Sequence, residues 1–575
     1  MPISPNVKFE YKNDNILQTI PTLGISCILA RTTKGPANDP SNLITSLSEF
    51  RRIFGNEIVP DGSVSNIEKA LVGGSKLRVI RVLGKGAKKG EITIQSKGGK
   101  GPETGNSILK VISDSTTVEL GFTTKGFGDP IGSGSEFKIE MYKQSNTLYY
   151  KVISANGQVL EQGPIITYAT SNTVNNTSVD YIALSNFNKN SSYLNLIVTK
   201  PTDSIKTLTH LTAWLSESVD NTKNPLNIKL ANDTEITEEV VNLTGNIGNP
   251  GTIPTTDEWV ASLEFIKDYT DAYNVFCSHI NQHINKDQDV LKVHKVAVDI
   301  VKELEEFIYY IEVPKHLTHY SQGDQPRDYK AINTWIQTCL GKVGNSKFVA
   351  YFGGGIRYYN DDGNLVDSDV LGTICGLSDS SASNYGPWRS FAGMNRGVIY
   401  DGNGPVCPNY GSPSRYSELN SLAQNYCNII CIKDTPNAGK RTMLWHCFTS
   451  QIKQDSERFL SIVRLNLYLK KNIRPILEKY LEEPNIWHTW KNIYLEVKPI
   501  LDDVQERDGF SEYKWLGDQD ANSYKDLAIN NEVDVRQGKY KIILKYKDIV
   551  PMQEITVGIH IDQASRDINI ETINE

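Results

Sequence analysis

The sequence predicts a mixed α/β chain of several domains, with an all-β unit set between two parts of another domain. Three observations predict it. The 575 residues exceed what one hydrophobic core organises, which sets a prior of two to four domains. From Gly84 to about Lys200, Gly, Ser, Thr and Asn dominate, and short β-like runs recur at turn spacing. From Thr255 onward, strand patterns alternate with helix patterns, which implies a mainly parallel sheet covered by helices.

Residues 1 to 20 read as an extended arm, because Met1-Pro2-Ile3-Ser4-Pro5-Asn6 carries two prolines that forbid a helix there. Leu23 to Ala30 is an apolar run of strand length, broken by Gly35-Pro36 and Asp39-Pro40. Ser46-x-x-Glu49 forms a capping box ahead of Phe50, Ile53 and Phe54, and Gly55 suits the end of that helix. Leu77 to Leu83, rich in Val and Ile, is the next strand. The β-rich stretch contributes Glu91–Ile94, Ile108–Ile112, Phe137–Tyr142, Tyr149–Ile153 and Tyr193–Val198, and Asn249 to Pro254 reads as a linker.

Thr255-x-x-Glu258 is a second capping box and predicts a helix from Asp257 to Tyr269. Asn274 to Ser278 reads as a strand, and Val290, His294, Ala297, Val301, Leu304 and Ile308 follow helical spacing. Ile308–Val313 and Phe348–Phe352 are further strands, with a helix over Tyr329 to Leu340 between them. Two long helices fill 446 to 507. The first has its apolar face at Phe459, Ile462, Val463, Leu469, Ile473, Leu477 and Tyr480. The second is capped by Asn485 and bent or restarted at Pro499. Beyond Asp518 the alternation of Tyr540, Ile542, Leu544 and Tyr546, then of Ile555, Val557, Ile559 and Ile561, predicts strands before a polar tail.

Composition excludes several function classes. The net charge is −7 and the basic residues do not cluster, which argues against nucleic acid as a direct partner. No apolar run is long enough to span a bilayer and no leader pattern follows Met1, so neither membrane insertion nor classical secretion is expected. The 8 cysteines are scattered, several in apolar runs, as buried free thiols of a reducing compartment would be. His279-x-x-x-His283 lacks the acidic base of a metalloprotease helix and reads as surface or capping histidines, and His316-x-x-His319 lies in a loop. Cys427-x-x-x-Cys431 reads as strand core. Gly439-Lys440-Arg441 lacks the P-loop context, and Gly353-Gly354-Gly355 precedes no helix pattern, so it reads as a tight turn. No catalytic residues, metal ligands or cofactor are expected.

Several motifs, in order, carry a resemblance. The first is L-G-I-S-C-I-L-A-R-T-T-K-G-P from Leu23, then L-S-E-F-R-R-I-F-G from Leu47, then G-G-S-K-L-R-V-I-R-V-L from Gly73. The next are Gly386 and Trp388 with Ala392 and Asn395, then Tyr416 to Asn428, then Gly439-Lys440-Arg441-Thr442-Met443. The last are the helix from Phe459 to Leu481, Glu483-Pro484-Asn485 with Trp490, and Gly538 to Ile561. Together they resemble the contractile tail sheath family over roughly residues 20 to 85 and 330 to 562. The sequence departs from it in lacking a Trp-Gly ahead of Lys440-Arg441-Thr442, with Leu444-Trp445 following instead.

The resemblance implies a sheath core domain formed by both chain ends around an inserted β domain. The expected division is an arm (1–20), a first core part (21–84), the insert (85–250), a second core part (251–550), and a C-terminal strand and tail (551–575). It implies a structural subunit, not an enzyme. Copies would stack as homo-oligomeric rings in a helix around an inner tail tube protein, with baseplate and tail terminator proteins as further partners. The sheath would sit in a virion tail assembled in host cytoplasm, or in a non-phage contractile injection system; neighbouring genes would separate these. Ile3, Val7, Phe9 and Ile16, with Ile555, Val557, Ile559 and Ile561, are the candidates for strand exchange between subunits. Lys470, Lys471, Arg474, Glu478, Glu482 and Glu483 are candidate charges facing the tube or the next ring.

Overall fold

The computed structural model describes residues 23–40, 42–94, the strands and adjoining residues between 109 and 246 named below, 249–319, 328–517 apart from 360–362, 401, 403, 407–409, 436–438 and 454, and 529–553 apart from 531. Within them the fold is mixed α/β, with one large mostly parallel sheet and one large antiparallel sheet.

The 7-stranded sheet takes strands from both sides of the antiparallel one. The N-terminal part supplies β1 (Ile25–Ala30) and β2 (Lys76–Arg81). The C-terminal part supplies β12 (Asn274–Cys277), β13 (Ile308–Glu312), β14 (Val349–Gly353), β17 (Cys427–Thr435) and β18 (Gly439–Leu444). The order is β18-β17-β14-β13-β12-β1-β2. Each pairing from β2 to β17 is parallel, whereas β18 returns antiparallel on β17. Every residue of β1, β12, β13 and β14 is buried, as strands covered on both faces require. The order of strands reverses between β1 and β12, the switch point where doubly wound sheets open a crevice beyond the strand ends.

Neighbouring tyrosines of β13 show which helix covers which face. Tyr309 meets His294 of α4 (Asp287–Leu304) at 2.8 Å. Tyr310 points the other way, to Asn274 at 2.7 Å and Ser378 of α6 (Leu371–Tyr385). That second face holds a buried polar knot in which Ser26 donates to Asp379 at 2.6 Å, Asn274 donates to Asp379 at 3.0 Å, and Arg464 donates to the Ser378 carbonyl at 2.8 Å.

The sequence patterns over α1 (Leu47–Phe54), α4, α5 (Tyr329–Val343) and α7 (Tyr416–Gln424) coincide with helices. Ser46 accepts from the Glu49 amide at 3.2 Å, but the Glu49 carboxylate reaches back to Thr45, one residue short of a full box. The helix expected over 257–269 is α only as α3 (Thr256–Leu263) and then tightens to 3₁₀ over Glu264–Asp268. Asn485 does not cap α9 (Trp487–Glu506); Ile486 holds that position, and the Asn485 amide instead spans to the carbonyls of Val535 and Lys539 while accepting from Trp490 at 2.8 Å. Pro499 does not restart α9. The donor it lacks would have served the carbonyl of Leu495, an exposed residue whose carbonyl water can satisfy.

Several elements have no counterpart in the sequence reading, among them a helix at 66–72, a hairpin at 356–368 and a helix at 371–385. The helix α2 (Asn66–Val72) is capped by Ser65, and β15 (Ile356–Tyr359) pairs with β16 (Leu365–Ser368). The helix α6 has little apolar periodicity because it meets α2 backbone to backbone. A Cβ at Gly376 would lie 2.8 Å from the Gly73 Cα, and one at Gly372 would lie 2.3 Å from the Asn66 carbonyl.

The antiparallel sheet has 9 strands, in the order β10-β4-β5-β3-β11-β6-β7-β8 with β9 on β5. They are β3 (Lys89–Ile94), β4 (Leu109–Ser113), β5 (Thr116–Phe127), β6 (Glu136–Gln144), β7 (Thr147–Ile153), β8 (Val159–Thr167), β9 (Leu194–Lys200), β10 (Ile228–Lys229) and β11 (Val240–Asn246). Its first and last strands, β3 and β11, pair with each other. The chain therefore enters and leaves side by side, with the Gly84 amide 3.0 Å from the Pro250 carbonyl and Lys88 bridging Asn249. The passage admits no side chain at Gly84, where a Cβ would fall 1.7 Å from the Thr252 carbonyl.

Candidate assembly surfaces and buried charge clusters

The charges singled out on the long helix α8 (Leu460–Glu478) divide into two groups. Lys470, Lys471 and Arg474 converge on Glu306, just ahead of β13. Lys470 lies 3.1 Å from that carboxylate and also donates to the Glu305 carbonyl at 3.0 Å, closing the end of α4. Lys471 is 7% exposed and donates to the Thr270 carbonyl, so it faces inward and presents nothing to a tube. Its burial lowers it to about 8 despite Glu306 at 3.6 Å. Glu306 is also held below its ordinary value, but there the shift favours the charged form, because three cations outweigh its own burial. The two shifts are compatible: Lys470 and Arg474 hold the carboxylate more closely than Lys471 does. Glu478, Glu482 and Glu483 are exposed at the α8–α9 turn.

A second cluster fills the switch point. At the end of β12, His279 takes a left-handed backbone (φ 52) at the N-cap of the helical turn Ile280–His283, without a side-chain cap bond, and is 2% exposed, so of the surface or capping reading only the position at a helix start holds. Its Nδ1 lies 2.6 Å from Asp369, whose other oxygen takes Lys315 at 2.9 Å; Lys315 in turn meets Asp61 at 2.7 Å. Glu57 accepts from Ser65 at 2.6 Å and from the Ile67 amide at 3.2 Å, takes the Ser278 hydroxyl, and lies 3.8 Å from His279 Nε2. Burial pulls the imidazole down, but Asp369 and Glu57 outweigh it and hold His279 above its ordinary value. Burial would raise Asp369, yet His279 and Lys315 hold it far below the usual carboxylate range. Glu312 has no such cation in contact. Its burial, with Asp369 nearby, pushes it well up, and it accepts from the Val370 amide at 2.7 Å.

These side chains occupy the crevice where a doubly wound sheet would otherwise receive a ligand. The chemistry of the cluster is that of a tie: it joins the ends of β12 and β13 to the 57–61 loop and to the start of α6. His283, also buried, is pulled down to about 4 by burial and stays neutral, and His319 behaves likewise. Among the described residues no three His, Cys, Asp or Glu side chains are arranged to hold a metal ion. The seven described cysteines are free and buried. No helix among the described residues is long and apolar enough to cross a membrane. Nothing in the local sequence links the Glu57–Asp61 loop with His279, Lys315 and Asp369, because these arrive on four separate segments.

The third feature is a 2-stranded sheet of β19 (Phe510–Leu516) and β20 (Ile543–Asp548). Its inner face rests on α8 and α9. Tyr513 donates to Asp502 at 2.7 Å, Tyr546 donates to Asn466, and Tyr494 lies 6.0 Å from Trp515 between ring centres. The outer edges of the large parallel sheet carry isolated bridges, Ile44 to Leu77 on β2 and Val398 to Met443 on β18. Among the described residues nothing bridges the outer edge of β19 or of β20. The chain runs on from β20 through exposed Ile549, Val550 and Met552. The strand-exchange candidates Ile3, Val7, Phe9, Ile16, Ile555, Val557, Ile559 and Ile561 lie outside the described residues.

No protein-family profile matches the sequence, and no curated protein matches it. Solved structures that resemble the chain include sheath proteins. A crystal structure of a sheath tail protein from Desulfitobacterium hafniense is 10% identical, with 90% of this chain and 94% of that chain covered and a TM-score of 0.45. The helical sheath of the anti-feeding prophage in its contracted state is 14% identical over 55% of this chain and 78% of that chain, with a TM-score of 0.40. The contracted sheath complex of an extracellular contractile injection system is 15% identical over 53% and 75%, with a TM-score of 0.39.

Proposed function

We propose that this chain is a structural subunit of a contractile tail sheath. Copies polymerise into a helical sheath around an inner tube, and contraction of that sheath drives the tube through a target envelope. The observation that carries the reading is the β19–β20 sheet, anchored on α8 and α9 with both outer edges unpaired among the described residues. An unpaired edge recruits a strand from another chain. The ordered sequence motifs support the same reading, as does a parallel sheet whose strands come from both sides of the antiparallel one. On this reading residues 84 to about 250 form a separate inserted domain, and the arms at 1–20 and 551–575 exchange with neighbouring subunits. Each subunit moves largely as a rigid body because a close-packed core resists deformation. Contraction releases free energy stored at assembly.

The test is electron microscopy of the purified full chain over a concentration series, alone and with a candidate tube protein. Hollow tubes with a helical surface pattern are expected, and deletion of residues 1–18 should leave a folded monomer that forms none. Discrete monomers even with the tube protein would overturn the sheath reading, and regular tubes from the deletion would overturn strand exchange.

A further inference from the structure

The α8–α9 turn is an acidic knob. Leu481 is 71% exposed at its tip. Glu478, Glu482 and Glu483 surround it, exposed and with no ion-pair partner among the described residues. Glu482 is held in a left-handed backbone, φ 68. Carboxylates gathered at the carbonyl end of a helix oppose its dipole, so this arrangement does not serve the stability of α8 itself.

A groove elsewhere on the chain has the opposite chemistry. α2, α6 and the 395–400 segment enclose a groove of about 420 Å³. Lys69 and Arg396 line it, and among the described lining residues there is no carboxylate. Tyr400, 77% exposed, stands at its mouth with the Arg441 guanidinium 5.2 Å from its ring, and exposed Tyr385 lies 5.9 Å from Arg396. Neither Arg396 nor Arg441 meets a carboxylate among the described residues. Tyrosine and arginine around a depression of mixed polarity, with two arginines that meet no carboxylate among the described residues, is the composition of an interface centre.

The knob cannot reach this groove in its own chain. Helix α9 has 20 residues and so is about 30 Å long. Its far end touches the groove side, where Trp388 and Arg389 donate to the Arg507 carbonyl at 3.0 and 3.2 Å, while the knob sits at its near end. We infer that the Leu481 knob of one copy seats in the Tyr385–Tyr400 groove of a second copy, with Glu478, Glu482 and Glu483 answering Arg396 and Arg441. Such a contact joins different patches of two copies, so it is heterologous and propagates into a helix or closes into a ring. It rests on the sheath reading, and names a contact between subunits apart from the strand edges.

The test uses the full chain and three variants: E478K/E482K/E483K, R396E/R441E, and all five together. Assembly is followed by light scattering and electron microscopy, with circular dichroism to confirm folding. Each charge reversal should raise the concentration needed for assembly about tenfold or more, and the five-fold variant should recover most of the loss, since like charges face each other only in the first two. A disulfide ladder between copies of Glu482→Cys/Tyr400→Cys should form on oxidation. If both reversals assemble as the wild type does and no ladder forms, the contact is wrong while the sheath reading stands. If the wild-type chain assembles under no condition, the sheath reading and this contact fall together.

Discussion

Asp369 is the residue on which the switch-point cluster depends, because it alone touches both buried His279, at 2.6 Å, and partly buried Lys315, at 2.9 Å. Removing one partner of a buried ion pair leaves the other charged and dry, which costs about 3–5 kcal/mol. Asp369→Asn should therefore lower unfolding stability by about that much in urea titrations, and a loss of only a few tenths would show that the cluster is solvated. The pH dependence follows from the shifts. His279 is raised in the folded chain, so its contribution is fully present below the unfolded imidazole value and fades as pH rises through the folded value. Asp369 is depressed, so its contribution is present above the unfolded carboxylate value and fades as pH falls toward the folded value. Stability should thus be greatest between the two, and His279→Gln should flatten the alkaline limb of a stability–pH curve. An unchanged alkaline limb would assign that slope to other groups.

At the scale of elements, the crossing of α2 and α6 is set by glycine. Gly73 and Gly376 each leave room only for the other's Cα. Gly376→Ala should force the helices apart and cost about 1–3 kcal/mol, the range for overpacking a tight contact; an unchanged denaturation midpoint would mean the pair relaxes freely. This crossing also explains what the sequence disclosed and what it did not. Helices α4 and α8 bury Val, Ile and Leu at helical spacing, so their apolar stripes are legible in the sequence. Helix α6 buries Gly, Ser, Thr and Cys, which carry no period in hydrophobicity, although Gly372 and Gly376 at four-residue spacing were the trace it left. β19 alternates Phe510, Tyr513 and Trp515 imperfectly across a register shift, so its sequence carries no clean strand period. The charges of α8 are plain in the sequence, but what they face is not. Their partner Glu306 lies more than 150 positions away in the chain, beyond any local pattern.

For the whole molecule, the adjacency of Gly84 and Pro250 makes the antiparallel sheet removable. Replacing residues 86–249 with a short Gly-Ser turn should leave the parallel sheet folded, since the two ends already lie at hydrogen-bonding distance and closing a short loop costs little. Circular dichroism with a single cooperative unfolding transition is the expected result. Loss of cooperativity would mean that the parallel sheet depends on contacts with the antiparallel one.

The position of β1 has a mechanical consequence. The chain that arrives from the N-terminus enters the sheet not at an edge but between β2 and β12, with parallel neighbours on both sides. Tension applied through residues 1–22 is directed along β1 and loads both ladders lengthwise, so their hydrogen bonds share the load instead of opening one at a time. An edge strand pulled outward would unzip. Single-molecule pulling from the N-terminal end should accordingly show one high-force rupture, and a series of small steps would contradict that load path. The strand that would carry force from a neighbouring subunit is thus bonded on both sides within its own sheet.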